Sequence, residues 1–142
     1  MKSVKQLLEG KPKALYTIGP DGSVLDAMKL MAAKSIGAVA VVEGDRLVGI
    51  LSERDYARKV ILQGRNSSDT KVSEIMTGQV TTVSLADRAF ACMEKMTQMQ
   101  FRHLPVVEDG KLIGMLSIGD LVKAVIDDQS NRIEQLERYI AS

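Results

Sequence analysis

Two short segments carry the residue types from which a recognition site can be built: Gly49-Ile50-Leu51-Ser52-Glu53-Arg54-Asp55 and Gly114-Met115-Leu116-Ser117-Ile118-Gly119-Asp120. Both have the form G-h-L-S-x-x-D, with h apolar. Ser-x-x-Asp ahead of an apolar run is a capping box, in which the hydroxyl and the carboxylate satisfy the free amides of a first helical turn. The same placement suits a ligand. A helix N-terminus offers unpaired amides and the positive end of the dipole to a phosphate, and an Asp there can accept hydrogen bonds from both hydroxyls of a ribose. The serine can cap and still face a phosphate, so the two readings are compatible.

Other chemistry lacks parts. The sequence has no G-x-x-x-x-G-K-[ST] loop, no G-x-G-x-x-G, no paired His or Cys ligands and no nucleophile–base pair at a recognisable spacing. Its single cysteine, Cys92, excludes an intrachain disulfide and a CxxC pair, and one histidine, His103, leaves little for metal or acid–base work. Cys92 falls on an amphipathic helical pattern and reads as a packed core residue. The expectation is a protein that is not an enzyme and carries no metal.

The elements that hold the two motifs are themselves repeated. Shifted by 65 residues, KSIGAVAVVEGDRLVGILSERDYARKVI lies over MQFRHLPVVEDGKLIGMLSIGDLVKAVI without a gap, so the chain is a duplication. Each copy reads as a short strand, a helix, two strands joined by a tight turn, and a second helix. Ser23 is placed to cap a helix with Val24, Met28, Met31 and Ala32 on one face. Ser84, Ala89, Phe90, Met93 and Met96 follow the same plan, and both faces should look inward. Ala38 to Val42 and Leu104 to Val107 read as strands, followed by turns at Glu43-Gly44-Asp45-Arg46 and Glu108-Asp109-Gly110-Lys111.

This organisation gives residues 1–13 as a helical lead-in, 14–62 as the first repeat, 63–71 as a polar linker and 72–128 as the second repeat. Val72 to Thr77 leads into the second repeat, and Val4 to Leu8 is its counterpart ahead of the first. Residues 129–142 read as a separate amphipathic helix with Ile133, Leu136 and Ile140 on one stripe.

The 142 residues make one compact domain more economical than two, each of which would be marginal alone. The expected fold class is α+β: two β-α-β-β-α repeats packed sheet to sheet about a pseudo-twofold axis, with a cleft between them. Net charge is +1, from 19 basic and 18 acidic residues interspersed along the chain, which argues against a nucleic-acid partner. Apolar runs such as Ile36 to Val42 are far shorter than the roughly 20 residues of a membrane span, and the N-terminus is unlike a signal peptide, so a cytoplasmic protein is expected.

These features together resemble a tandem pair of cystathionine-β-synthase-type (CBS) motifs, a Bateman module, over roughly residues 1 to 128. The marks are Val72-Ser73-Glu74-Ile75-Met76-Thr77, Arg102-His103-Leu104-Pro105-Val106-Val107 and the two G-h-L-S-x-x-D segments. The resemblance implies a regulatory module that binds an adenosine ligand, AMP first, then ATP or ADP, NAD or S-adenosylmethionine, and that forms a homodimer through its helices. An effector protein would receive the signal. Carried over, Asp55 and Asp120 hold ribose diols and Ser52 and Ser117 lie near phosphates. Gly37, Ala38 and Val39, with Arg102, His103 and Leu104, correspond to the strand starts that face adenine. Tyr16 with Ile18, and Thr81 with Val83, form the other wall. Arg54 supplies a phosphate-ready cation beside Asp55, whereas Gly119 stands in its place beside Asp120. Arg102 and His103 are the candidates to make up that charge. A module that docks a protein with its sites empty is the competing reading.

Overall fold

The computed structural model describes residues 1–141. In chain order its elements are α1 (Val4–Glu9), β1 (Thr17–Ile18), α2 (Val24–Lys34), β2 (Ala38–Glu43), β3 (Arg46–Ser52) and α3 (Glu53–Tyr56). A π-helical turn over Ala57–Ile61 continues α3, and α4 (Val72–Ile75), α5 (Ala89–Met99), β4 (His103–Glu108), β5 (Lys111–Ser117) and α6 (Ile118–Ala141) follow. The strand–helix–hairpin–helix order read from the sequence is present in both repeats. In the second, however, the opening strand is reduced to one parallel bridge between Val83 and Val106.

The chain forms two compact units. The first comprises residues 14–81 with the hairpin tip 108–113, and the second comprises residues 1–13, 82–107 and 114–141. In the first, β1 runs parallel to β2, and β2 pairs antiparallel with β3 through a bulge at Val41/Val42. The core packs Val24, Ala27 and Met31 of α2 against Val39, Val41 and Leu51 of the sheet. In the second, Ala89, Cys92 and Met96 of α5 pack with Leu104, Val106, Leu116 and Leu121. Met31 and Met96 are core residues, as their helical spacing indicates. Cys92 is fully buried, and burial, with the nearby Asp87 carboxylate, pushes its thiol pKa up.

Each lead-in joins the core of the other repeat. Val72 and Ile75, which precede the second repeat in sequence, are buried in the core of the first, and Val72 N donates to Gly22 O at 2.8 Å. Val4, from the start of the chain, is buried in the core of the second, and its N–H donates to Asp87 O at 2.8 Å. The segments that lead into each repeat in sequence, Val4 to Leu8 ahead of the first and Val72 to Thr77 at the start of the second, are thus exchanged in packing. Apolar spacing shows that these segments need a core and is silent on which one.

Three local expectations change. Ser23 does cap α2, accepting from Asp26 N at 3.0 Å. Ser84 does not cap α5, which starts later, after Arg88. The carbonyls of Leu85 and Asp87 are taken by the amides of Lys5 and Val4, which holds that stretch out of the helix. Ala32 and Phe90 are exposed rather than inward, Phe90 by 58%. Finally, α6 is one continuous 24-residue helix, so residues 129–141 extend the last helix of the second repeat instead of forming a separate one. No Gly or Pro interrupts the chain at Gln129-Ser130-Asn131. Ser142, the end of that expected segment, lies outside the described residues.

Candidate functional site

Each G-h-L-S-x-x-D segment folds as strand into helix, and the Ser-x-x-Asp of each closes a reciprocal cap. In the first unit Asp55 N donates to Ser52 Oγ at 3.1 Å, and Asp55 Oδ2 accepts from Ser52 N at 3.0 Å. In the second, Asp120 N donates to Ser117 Oγ at 3.2 Å, and Asp120 Oδ2 accepts from Ser117 N at 2.8 Å. The capping reading is thus realised twice. It uses one carboxylate oxygen in each case, and a carboxylate has about four lone-pair sites.

A second backbone bond ties the start of each neighbouring strand to the same corner. Glu53 N donates to Gly37 O at 3.0 Å, and Ile118 N donates to Arg102 O at 2.8 Å. Gly37, Ala38, Ser52 and Asp55 are thereby brought together in the first unit, and Arg102, His103, Ser117 and Asp120 in the second. Val39 and Leu104 are fully buried in the two cores and Val83 is 3% exposed, so these three can meet a ligand only through backbone atoms. The backbone of Val83 is already engaged, its N–H donating to Pro105 O and its carbonyl accepting from Val107 N. Tyr16 is half-buried with the Lys34 ammonium 5.2 Å from its ring centroid, and Ile18 pairs with Val41 across the β1–β2 ladder. Thr81 is half-buried in the first unit. The Arg54 and Arg102 side chains are exposed.

Two lysines absent from the sequence reading hold the carboxylates. Lys59 Nζ lies 3.1 Å from Asp55 Oδ1 and also donates to Ile75 O at 2.9 Å. Lys11 Nζ donates to Asp120 Oδ2 at 2.7 Å and to Met115 O at 2.8 Å. Thr77 Oγ1 donates to Asp55 Oδ1 at 3.5 Å. Burial by itself would raise the Asp120 pKa, but the Lys11 ammonium and the Ser117 hydrogen bonds outweigh it and hold the carboxyl below its ordinary value. The Asp55–Lys59 pair was discoverable from its i, i+4 spacing. No spacing rule links Lys11 to Asp120.

The motif glycines explain how the lead-ins reach these corners. A Cβ on Gly49 would lie 2.5 Å from Met76 Sδ and 3.0 Å from the Thr77 carbonyl oxygen, and one on Gly114 would lie 2.8 Å from Leu8 Cδ2. Each glycine is a seat for the lead-in that crosses it.

Paired strand–helix corners on duplicated repeats, with a carboxylate and a lysine at each, define a tandem two-repeat module. The family model for the CBS domain matches residues 12–61 and 72–127, and the chain belongs to the CBS-domain family. It is 43% identical over 125 residues to the mitochondrial CBS domain-containing protein CBSX3 of Arabidopsis thaliana, covering 84% of this chain and 61% of that protein. It is 33% identical to the CBS domain-containing protein YhcV of Bacillus subtilis, covering 92% and 90%. Several further plant relatives are much longer; the chain spans 25% of CBSCBSPB2 of Arabidopsis thaliana. Among solved structures it resembles a putative signal-transduction protein with CBS domains from Burkholderia ambifaria, with 53% identity, a TM-score of 0.86 and coverage of 90% and 96%. The CBS-domain pair of protein MJ0100, solved with 5′-methylthioadenosine and S-adenosyl-L-methionine, shares the fold at 24% identity and a TM-score of 0.80, covering 90% and 98%. The chain is accordingly a CBS-domain pair of the kind found in regulatory proteins. Among the described residues, no helix is long and apolar enough to cross a membrane, and no group of three or more His, Cys, Asp or Glu could hold a metal ion.

Proposed function

We propose that this chain is a non-catalytic sensor of adenosine nucleotides, AMP being the first choice and ATP, ADP, NAD and S-adenosylmethionine the others. Asp55 and Asp120 receive the ribose hydroxyls, while Ser52 and Ser117 lie near the phosphate. The backbone at Gly37–Val39 and 102–104 reads the base, with Tyr16 and Ile18, and Thr81 and Val83, as the opposite walls. Arg54 and Arg102 contribute positive charge from the rim, and His103 does so from its half-buried place. The chain works as a homodimer that signals to an effector protein, in the cytoplasm.

The observation that carries this reading is that each motif carboxylate sits at a helix start with an ammonium in contact, Lys59 at 3.1 Å and Lys11 at 2.7 Å. A nucleotide presents the complementary pair, a diol for the carboxylate and a phosphate for the ammonium. The adenosine ligands of the MJ0100 pair point the same way. The signal arises only from differential affinity for two arrangements of the protein.

The same contacts favour a second reading, a docking module whose corners stay closed by their own lysines. Calorimetry with AMP separates the two. Binding that is weakened by Asp55→Ala at one site and by Asp120→Ala at the other supports the sensor. No heat with any adenosine ligand, together with no ligand released from the purified protein in mass spectrometry, supports docking alone.

A further inference from the structure

The last helix carries an apolar face that its own unit leaves uncovered. Leu121 and Ala124 of α6 are buried in the core of the second repeat. Val122, Ile126, Ile133, Leu136 and Ile140 form a different stripe, each between 42% and 81% exposed. At about 100° per residue, that stripe lies roughly 130° round the helix from the buried one. From residue 129 to 141 every residue is exposed, so nothing in the chain's own core supports that stretch. A solitary helix of such length is marginal in water, and packing of an apolar face is what normally sustains one.

The spacing of the stripe identifies the kind of surface that would cover it. With Ile126, Ile133 and Ile140 at position a and Val122, Gln129 and Leu136 at position d, one heptad frame runs from 122 to 140, apolar at every a and d position but 129. β-branched Ile fills all three a positions and Leu136 one d position, the combination that favours two parallel strands, while Gln129 places one polar residue in the seam. The flanking charges agree. Arg132 falls at g and Glu137 at e, five residues on, and in a parallel in-register pair g of one helix faces the following e of the other. An antiparallel pair sets g against g and e against e and never brings Arg132 to Glu137. Within one copy Arg132 reaches back along its own helix, 3.3 Å from Asp128.

We propose that α6 docks a second copy of this chain as a parallel, in-register two-stranded coiled coil over residues 122–140. The surface is self-complementary, as a twofold interface requires: one seam of a and d residues and two symmetry-related Arg132–Glu137 pairs. The proposal is independent of whether the motif corners bind nucleotide.

The test uses the full chain under mild oxidation, with Leu136→Cys as the reporter in the seam and Glu134→Cys as a control on the outer face. Wild-type protein serves as the blank, since Cys92 is fully buried. More than half of Leu136→Cys is expected to cross-link between copies, and less than a tenth of Glu134→Cys. Adding Arg132→Glu to Leu136→Cys should lower the rate of cross-linking at least fivefold, and adding Glu137→Arg to that variant should restore it. Equal cross-linking at 134 and 136, none at 136, or no recovery on swapping both charges would overturn the proposal. So would sedimentation of the wild-type chain as a monomer at every concentration.

Discussion

The two motif corners use the same Ser-x-x-Asp cap but obtain their lysine by different routes. At Asp55 the ammonium comes from one turn further along the same helical segment, at Lys59, and bridges to the Ile75 carbonyl. At Asp120 the residue in the duplicate position is Ala124, and the ammonium comes instead from Lys11, 109 residues away in sequence, and bridges to the Met115 carbonyl. In the 65-residue alignment Lys11 stands opposite Met76, the residue that crosses Gly49. Duplication has therefore kept the charge pattern of the corner while exchanging which segment carries it. One corner draws its ammonium from its own helical segment, and the other receives one only when its lead-in is docked.

The largest consequence concerns the lead-ins. Gly49→Ala sets a methyl against the Thr77 backbone carbonyl at 3.0 Å as well as against Met76, and backbone cannot rotate away. For Gly114→Ala the nearest atoms belong to the end of the Leu8 side chain, which can. Chemical denaturation should show Gly49→Ala losing about 3 kcal/mol and Gly114→Ala about 1 kcal/mol. Equal losses would mean that the two lead-ins are held alike.

A smaller difference is expected at the carboxylates. Both Asp→Ala changes remove a cap, worth about 1 kcal/mol. Asp120→Ala also strands Lys11, whose side chain is 33% exposed, whereas Lys59 at 44% is more readily hydrated. Thermal and denaturant unfolding should put Asp120→Ala at about 2 kcal/mol and Asp55→Ala at about 1 kcal/mol. The reverse order would break the contrast between a local and a long-range pair.

What the sequence reveals about this molecule is what local periodicity encodes. The strand–helix order, the caps at Ser52 and Ser117 and the inward Met31 and Met96 follow from patterns within a few turns of chain, and the 65-residue duplication repeats those patterns. Partner choice at long range is of another kind. Val4 and Val72 have the same apolar character, so nothing local assigns either to a core. Lys11 sits in a Gly-Lys-Pro-Lys stretch at the end of the expected helical lead-in, where no local pattern points it toward Asp120. The motif glycines look like turn residues until Met76 and Leu8 are seen against them. Arg102 and His103 were the natural candidates for the missing charge because they lie beside the motif strand, but the ammonium in contact with Asp120 arrives from the other end of the sequence.

Acid titration gives the finest version of the comparison. The Asp120 carboxyl is held below its ordinary value of 3.8 in the folded chain, so the folded state binds this proton less readily than the unfolded chain does. Its contribution to stability is complete above that value and is lost as pH falls through 3.8 toward the lower folded-state value. Lys11→Met removes the main influence that lowers the pKa and leaves burial, which acts in the opposite direction. That variant should lose about 1 kcal/mol at neutral pH. Urea midpoints measured from pH 6 down to pH 2.5 should fall less steeply for it than for wild type. Wild-type steepness retained in Lys11→Met would show that the Ser117 cap alone sets the Asp120 titration, and that the long-range lysine contributes nothing to it.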